Sequence, residues 1–160
     1  MKQITLAVLV IGLVQSPLRA QGTAAEHGTV IVVPAGTAKF GPAPDILPSG
    51  AKLAVLEGDP TKEGSYTMRL WMPNGYTIPP HFHLADEHVT VVEGTFLVGM
   101  GSTLDASKFA ALPAGSFGML PPHMQHYARA RGVTVIQLHG MGPWGLTYVH
   151  PSDDPRKHAR

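Results

Sequence analysis

The sequence predicts an all-β domain, a sandwich or barrel of many short strands, on three observations. Gly 18 and Pro 15 together make up about one residue in five of the 160, without a collagen-like period or a repeat. Only 14% of residues are charged, too few to decorate the outer faces of a helical bundle. Short β-branched and aromatic runs recur at even intervals between turn signals. With 44% of its residues apolar, a chain of this length suits one compact domain.

In chain order, residues 1–20 stand apart from the fold. Met1-Lys2 gives a positive start, residues 4–14 form an apolar run, Ser16-Pro17 breaks it, and Leu18-Arg19-Ala20 ends on a small residue. This is the pattern of a secretory signal, so the chain is expected to be exported, periplasmic or secreted. The run falls short of the roughly 20 apolar residues a spanning helix needs, so no membrane association is expected. Removing residues 1–20 takes Lys2 and Arg19 with it and leaves 10 basic and 11 acidic side chains, net −1. A charge so near zero, with no basic cluster, excludes electrostatic capture of nucleic acid. There is no cysteine, which excludes disulfides, a thiol nucleophile, a thiolate-ligated metal and a lipid tether at the cleavage point.

Residues 21–160 then read as a single domain. Residues 21–28 are a polar lead-in, and the β-branched run 29–33 is expected to form an edge strand. Residues 40–49, with Pro42, Pro44 and Pro48, can only be an irregular cover, because proline cannot donate to a ladder. Residues 52–57 and 66–72 read as strands, separated by the turn Gly58-Asp59-Pro60 and closed by Pro73-Asn74-Gly75. Residues 88–92 form a strand that Glu93-Gly94 ends at a hairpin-like turn, before a new strand at 95–100. Residues 105–111 suit one helical turn. Residues 115–120 and 126–130 bracket the turn Pro121-Pro122, and 133–139 make the last clear strand. From Gly140 onward the chain is a tail, with Trp144 and Tyr148 available to pack.

Nine histidines occur, and a lone His-x-His among them means little, since roughly 0.5 such pairs arise by chance at this composition. The surroundings of His81 and His83 change that. Gly75 stands six before His81, Glu87 four after His83, and Gly94 seven after Glu87. Side chains two apart on a strand share a face, so His81 and His83 can offer two imidazoles to one point. Glu87, past a short turn, can swing its carboxylate to the same point. A third imidazole has to come from elsewhere, and the segment from Gly115 through Pro121 to His126 can supply it.

These residues resemble the cupin superfamily. Gly75-x5-His81-x-His83-x3-Glu87-x6-Gly94 matches the first cupin motif at every fixed position, and Gly115-x5-Pro121-x-His123-x2-His126 is similar to the second. The second departs twice, with His123 where the motif has Gly and Ala130 where it has Asn. The matched core, residues 75–130, covers about 40% of residues 21–160. The resemblance implies a cupin jelly-roll β-barrel (a double-stranded β-helix) with one divalent metal, ligated by His81, His83, Glu87 and His126. Three imidazoles and a carboxylate suit Fe, Mn, Cu, Zn, Co or Ni.

The resemblance further implies a small-molecule substrate and a homodimer, and an open edge strand at 29–33 that needs a partner points the same way. Glu87 and His123 are the candidates for proton transfer. Arg69, Trp71 and His139 are candidate pocket residues, His88 is expected to face outward, and Tyr127 to point away from the metal. The leading expectation is an oxidoreductase of dioxygenase or oxidase type acting on a small organic or carbohydrate substrate. The alternatives are a non-redox lyase or isomerase using the metal as a Lewis acid, and a non-catalytic binding protein.

Overall fold

Nine antiparallel strands and three short 3₁₀ turns organise residues 29–158, the part of the chain this computed structural model describes. The strands are β1 (Gly41–Pro42), β2 (Lys52–Gly58), β3 (Gly64–Met72), β4 (Thr77–Phe82), β5 (Glu87–Met100), β6 (Ala110–Pro113), β7 (Phe117–Leu120), β8 (His126–Gly142) and β9 (Thr147–Tyr148). The first half of β5 pairs with β7 and with the second half of β8, which in turn pairs with β3. The second half of β5 pairs with β6 and with the first half of β8, which pairs with β4. Two long strands thus each serve two sheets, and the result is the jelly-roll barrel.

Glycines at the corners make this sharing feasible. Gly94 and Gly132 both have φ +74, and the β5–β8 register shifts on either side of Glu93. A bulge of this kind bends a strand while the ladder continues beyond it. The turn expected at Glu93-Gly94 is therefore corrected: β5 runs through it for 14 residues. Residues 126–130 and 133–139 likewise belong to one 17-residue strand rather than two. A positive-φ glycine suits a bulge as well as a turn, and only pairing on both flanks distinguishes them.

Alternation places the core between the sheets. On β3 the side chains of Tyr66, Met68, Leu70 and Met72 are buried, while Thr67, Arg69 and Trp71 lie on the other face. Val89, Val91, Phe96, Ile136 and Leu138 complete the interior. The proline-rich cover is irregular as expected except at its start, where the two-residue β1 pairs with β2, and its Leu47 plugs the core. The cover is fastened by the hydroxyls of Tyr76 and Tyr148, which donate to the carbonyls of Pro48 and Ile46. Each such bond contributes on the order of 1 kcal/mol.

The helical turn expected at 105–111 is shorter, at Ala106–Lys108, capped by Asp105. Tyr127 faces away from the barrel interior, against Phe109, and donates to the carbonyl of Asp105. Gly99 lies opposite it, where a Cβ would come within 2.2 Å of the ring.

Residues 29–33 form no strand, and Val30 is 84% exposed, so the edge-strand ground for a dimer is withdrawn. Ile31–Arg160 forms one unit. The signal-like residues 1–20 lie outside the described residues. Among those described, no helix is long and apolar enough to cross a membrane.

Candidate metal centre

Three strands bring their ends to one place. His81 lies near the end of β4 and His83 just beyond it; Glu87 begins β5, and His126 begins β8, directly across the ladder from His81. All four are buried. The ring centroids lie 4.1 Å apart for His81–His126, 5.1 Å for His81–His83 and 5.3 Å for His83–His126. One ring nitrogen from each histidine can be chosen so that all three lie within 4.8 Å of one another.

The far side of each ring is tied to the main chain. His81 Nδ1 lies 2.7 Å from the Pro79 carbonyl, His83 Nδ1 2.7 Å from that of Gly145, and His126 Nδ1 2.9 Å from that of Met124. A carbonyl only accepts, so each Nδ1 carries the proton and each Nε2 keeps its lone pair. Glu87 then places Oε1 3.3 Å from His83 Nε2 and Oε2 3.4 Å from His126 Nε2. Acceptors face acceptors there, and His83 Nε2 is buried without a hydrogen-bond partner. A cation among these atoms satisfies all of them, so the donor set fits a metal ion.

Electrostatics agree with a neutral His81 and an ionised Glu87. Burial, reinforced by His126 and His83, pushes the His81 imidazole down to about 3. Burial opposes ionisation of Glu87, but the His126 and His83 side chains beside it outweigh burial and hold the carboxyl at about 2.

A pH dependence follows for the metal-free protein. Between pH 6.5 and 3 the unfolded chain takes up a proton at His81 that the folded chain refuses, and Glu87 adds the same sign from 4.5 downward. Stability is therefore complete above pH 6.5 and falls with acid, by about 1.4 kcal/mol per pH unit for each group in its window. Urea midpoints at pH 8, 6, 5 and 4 measure this; a midpoint at pH 4 equal to that at pH 8 refutes it.

Two cavities adjoin the cluster. One of about 20 Å³, large enough for an ion or a water, lies inside the barrel against His81, His83, Glu87 and His126. Another, of about 240 Å³, lies at the mouth, where Tyr66, His83, Glu87, Met141, Trp144 and Leu146 help to line it. Burial, with the Glu87 carboxylate nearby, pushes the Tyr66 phenol up to about 12, so it stays protonated.

The remaining candidates are placed elsewhere. Arg69 lies on the outer face of β3, hydrogen-bonded to Gln137, and Trp71 lies on the same face beneath Lys52. His139 stacks on His88 at 4.9 Å on the outer face, as their register across β5 and β8 requires. The expectation that Arg69, Trp71 and His139 line the pocket is thus corrected: their strand parity is opposite to that of the buried residues.

His123 is exposed, its ring 5.7 Å from that of Phe82, and it lines neither cavity at the histidine cluster. Its proton-transfer role is withdrawn as well. The position has φ +63, and its N–H donates to the His83 carbonyl, which explains why glycine suits the motif there.

Tyr66 and Trp144 were missed as pocket residues. Tyr66 shares the parity of Met68 and Leu70, a legible signal; the return of residues 143–147 over the mouth left none.

A two-sheet jelly-roll barrel with three convergent histidines at one end defines the class: this is a cupin. The model of the ChrR cupin-like domain matches residues 28–144, and the chain belongs to that family. A comparison with the curated proteins gave no match. Among solved structures it is similar to the polyketide cyclase RemF from Streptomyces resistomycificus, at 15% identity and TM-score 0.65, covering 81% of this chain and 92% of that one. It is also similar to a proposed acetylacetone dioxygenase from Methylibium petroleiphilum, at 18% identity and TM-score 0.60, covering 82% and 88%. An RmlC-like cupin from Shewanella frigidimarina aligns at 20% identity and TM-score 0.53, covering 75% and 93%. At these identities the likeness concerns the fold.

Proposed function

We propose that the chain is a metal-dependent cupin oxidoreductase, in which His81, His83, His126 and Glu87 hold one divalent transition metal and a small organic molecule is oxidised at the mouth. The observation that carries this reading is the orientation of the rings: three Nδ1 atoms anchored on carbonyls leave the Nε2 lone pairs free, those of His83 and His126 facing Glu87, and the three histidines converge on one point. A bound metal would supply a Lewis acid and, if redox-active, an electron relay to dioxygen. The likeness to a proposed acetylacetone dioxygenase supports the oxidative reading.

The chain's own contribution is to exclude water and move a proton. The walls around the cluster are apolar, including Leu70, Phe96, Ile136 and Leu138. Glu87 borders both cavities, so its carboxylate can accept a proton from a molecule seated at the mouth.

Elemental analysis of the purified protein, followed by oxygen uptake with neutral ketones and diketones, tests the proposal. Stoichiometric iron, copper or manganese with substrate-dependent oxygen uptake is expected. Stoichiometric zinc without oxygen uptake favours the second reading, a non-redox lyase, isomerase or cyclase, which the likeness to a polyketide cyclase supports. Protein that takes up no divalent metal refutes both.

Export remains a proposal resting on the signal-like pattern of residues 1–20, and so does a homodimer. With residues 29–33 withdrawn, the surface offered for pairing is the outer sheet face, where Phe117 and Met119 are exposed. Sedimentation at micromolar concentration reads the mass directly.

A further inference from the structure

The chain has four tyrosines, and three commit the hydroxyl to a main-chain carbonyl: Tyr76 to Pro48, Tyr127 to Asp105 and Tyr148 to Ile46. Each of these bonds fastens a loop to the barrel. Tyr66 is as buried as the others, at 3% exposure, yet its hydroxyl makes no hydrogen bond among the described residues. It lines the mouth cavity together with His83 and Glu87. The strand position directly across from it is Gly140, where an added Cβ would lie 3.2 Å from the Tyr66 oxygen, so the space around the hydroxyl depends on the missing side chain.

The hydroxyl is not sealed off but opens onto the cavity, where a bound molecule can accept its hydrogen. The rest of the lining says which molecule. Met141, Pro143, Trp144 and Leu146 offer an apolar bed, and Asp86 and Glu87 are acidic. Among the described residues lining the cavity there is no lysine or arginine, and the carboxylates of Asp86 and Glu87 match the two charges of a divalent ion, which leaves no positive charge over for an anion. About 240 Å³ accommodates a molecule of roughly ten heavy atoms.

We propose that Tyr66 is the specificity-determining donor of this cupin, and that the mouth cavity takes a small uncharged compound whose carbonyl oxygen accepts the Tyr66 hydroxyl hydrogen. The inference rests on the metal-centre reading, since it places the carbonyl beside His83 and Glu87. It adds the chemical class of ligand and a residue outside the motif that selects it.

Calorimetric titration of the zinc-loaded protein tests this with three probes of similar shape. Acetophenone carries the carbonyl, ethylbenzene lacks it, and benzenesulfonate is a weakly coordinating anion. Acetophenone is expected to bind at least tenfold more tightly than either of the other two. Tyr66→Phe should weaken acetophenone about tenfold, the loss of one buried hydrogen bond, while leaving ethylbenzene within about twofold and zinc stoichiometry unchanged. Acetophenone binding equally to wild type and Tyr66→Phe overturns the proposal, as does tighter binding of benzenesulfonate or no acetophenone binding at millimolar concentration. If wild type takes up no zinc, the metal reading fails separately, and the Tyr66→Phe comparison on metal-free protein still decides the role of Tyr66.

Discussion

His126→Ala is expected to lower metal affinity by at least about a hundredfold, whereas His123→Ala leaves the metal in place. His126 turns Nε2 toward Glu87, with its Nδ1–H held by the Met124 carbonyl, and it faces His81 across the β4–β8 ladder. Changes merely to groups that orient a ligand already cost 10–100-fold, so removing the ligand itself should cost more. The stability that metal confers goes with it, about 2.7 kcal/mol when free metal stands at a hundred times the dissociation constant. His123 is exposed, reaches neither cavity at the cluster and contributes a main-chain N–H that alanine retains. Elemental analysis after dialysis, with melting curves in the presence and absence of zinc, separates the two variants. Full metal retention in His126→Ala, with loss in His123→Ala, would show the ligand assignment to be wrong.

Gly94→Ala should destabilise the fold by about 3 kcal/mol or more, far beyond what the same change does at Gly75. Both glycines stand in the first motif, and both have positive φ, +74 and +79. They differ in what a methyl group meets. At Gly94 the added Cβ would lie 2.2 Å from the Val133 carbonyl oxygen and 3.0 Å from the Thr134 Cα, both main-chain atoms of the paired strand that cannot swing aside. At Gly75 nothing lies within 4 Å, so only the conformational cost of about 1 kcal/mol remains. Denaturant midpoints of the two variants measure the difference. Equal midpoints would refute the close approach of β5 and β8 at this corner.

The contrast between these glycines shows where sequence reading stopped. Spacing marked both as special, but it read Gly94 as a turn, because a glycine directly after a charged residue is an ordinary end of a strand. Whether the chain turns or merely bends depends on partners remote in sequence: Val91 and Glu93 pair with Ile136 and Val135, and Thr95 with Arg131. The same limit affected β8, read as two strands on either side of Arg131-Gly132.

The candidate metal residues were legible because their geometry is local. His81-x-His83 shares a strand face by alternation, Glu87 follows within a short turn, and His126 occupies a motif position. Those rules hold whatever the rest of the chain does. Arg69 and Trp71 were misjudged although alternation also governs them, because one of the two faces of β3 had to be chosen. The burial of Met68 and Leu70 makes that choice.

By itself, then, the sequence determined an all-β chain and the convergence of His81, His83 and Glu87 as candidates, because composition, period-two alternation and short spacings act within a few residues, while the class and the candidate His126 came from the resemblance of its motifs. Tertiary structure alone decided which glycines bend rather than turn, and that His123 and His139 lie away from the site. It alone also brought Tyr66 together with residues 143–147 over the mouth, since each of these depends on contacts between segments tens of residues apart, where packing and not propensity selects the arrangement.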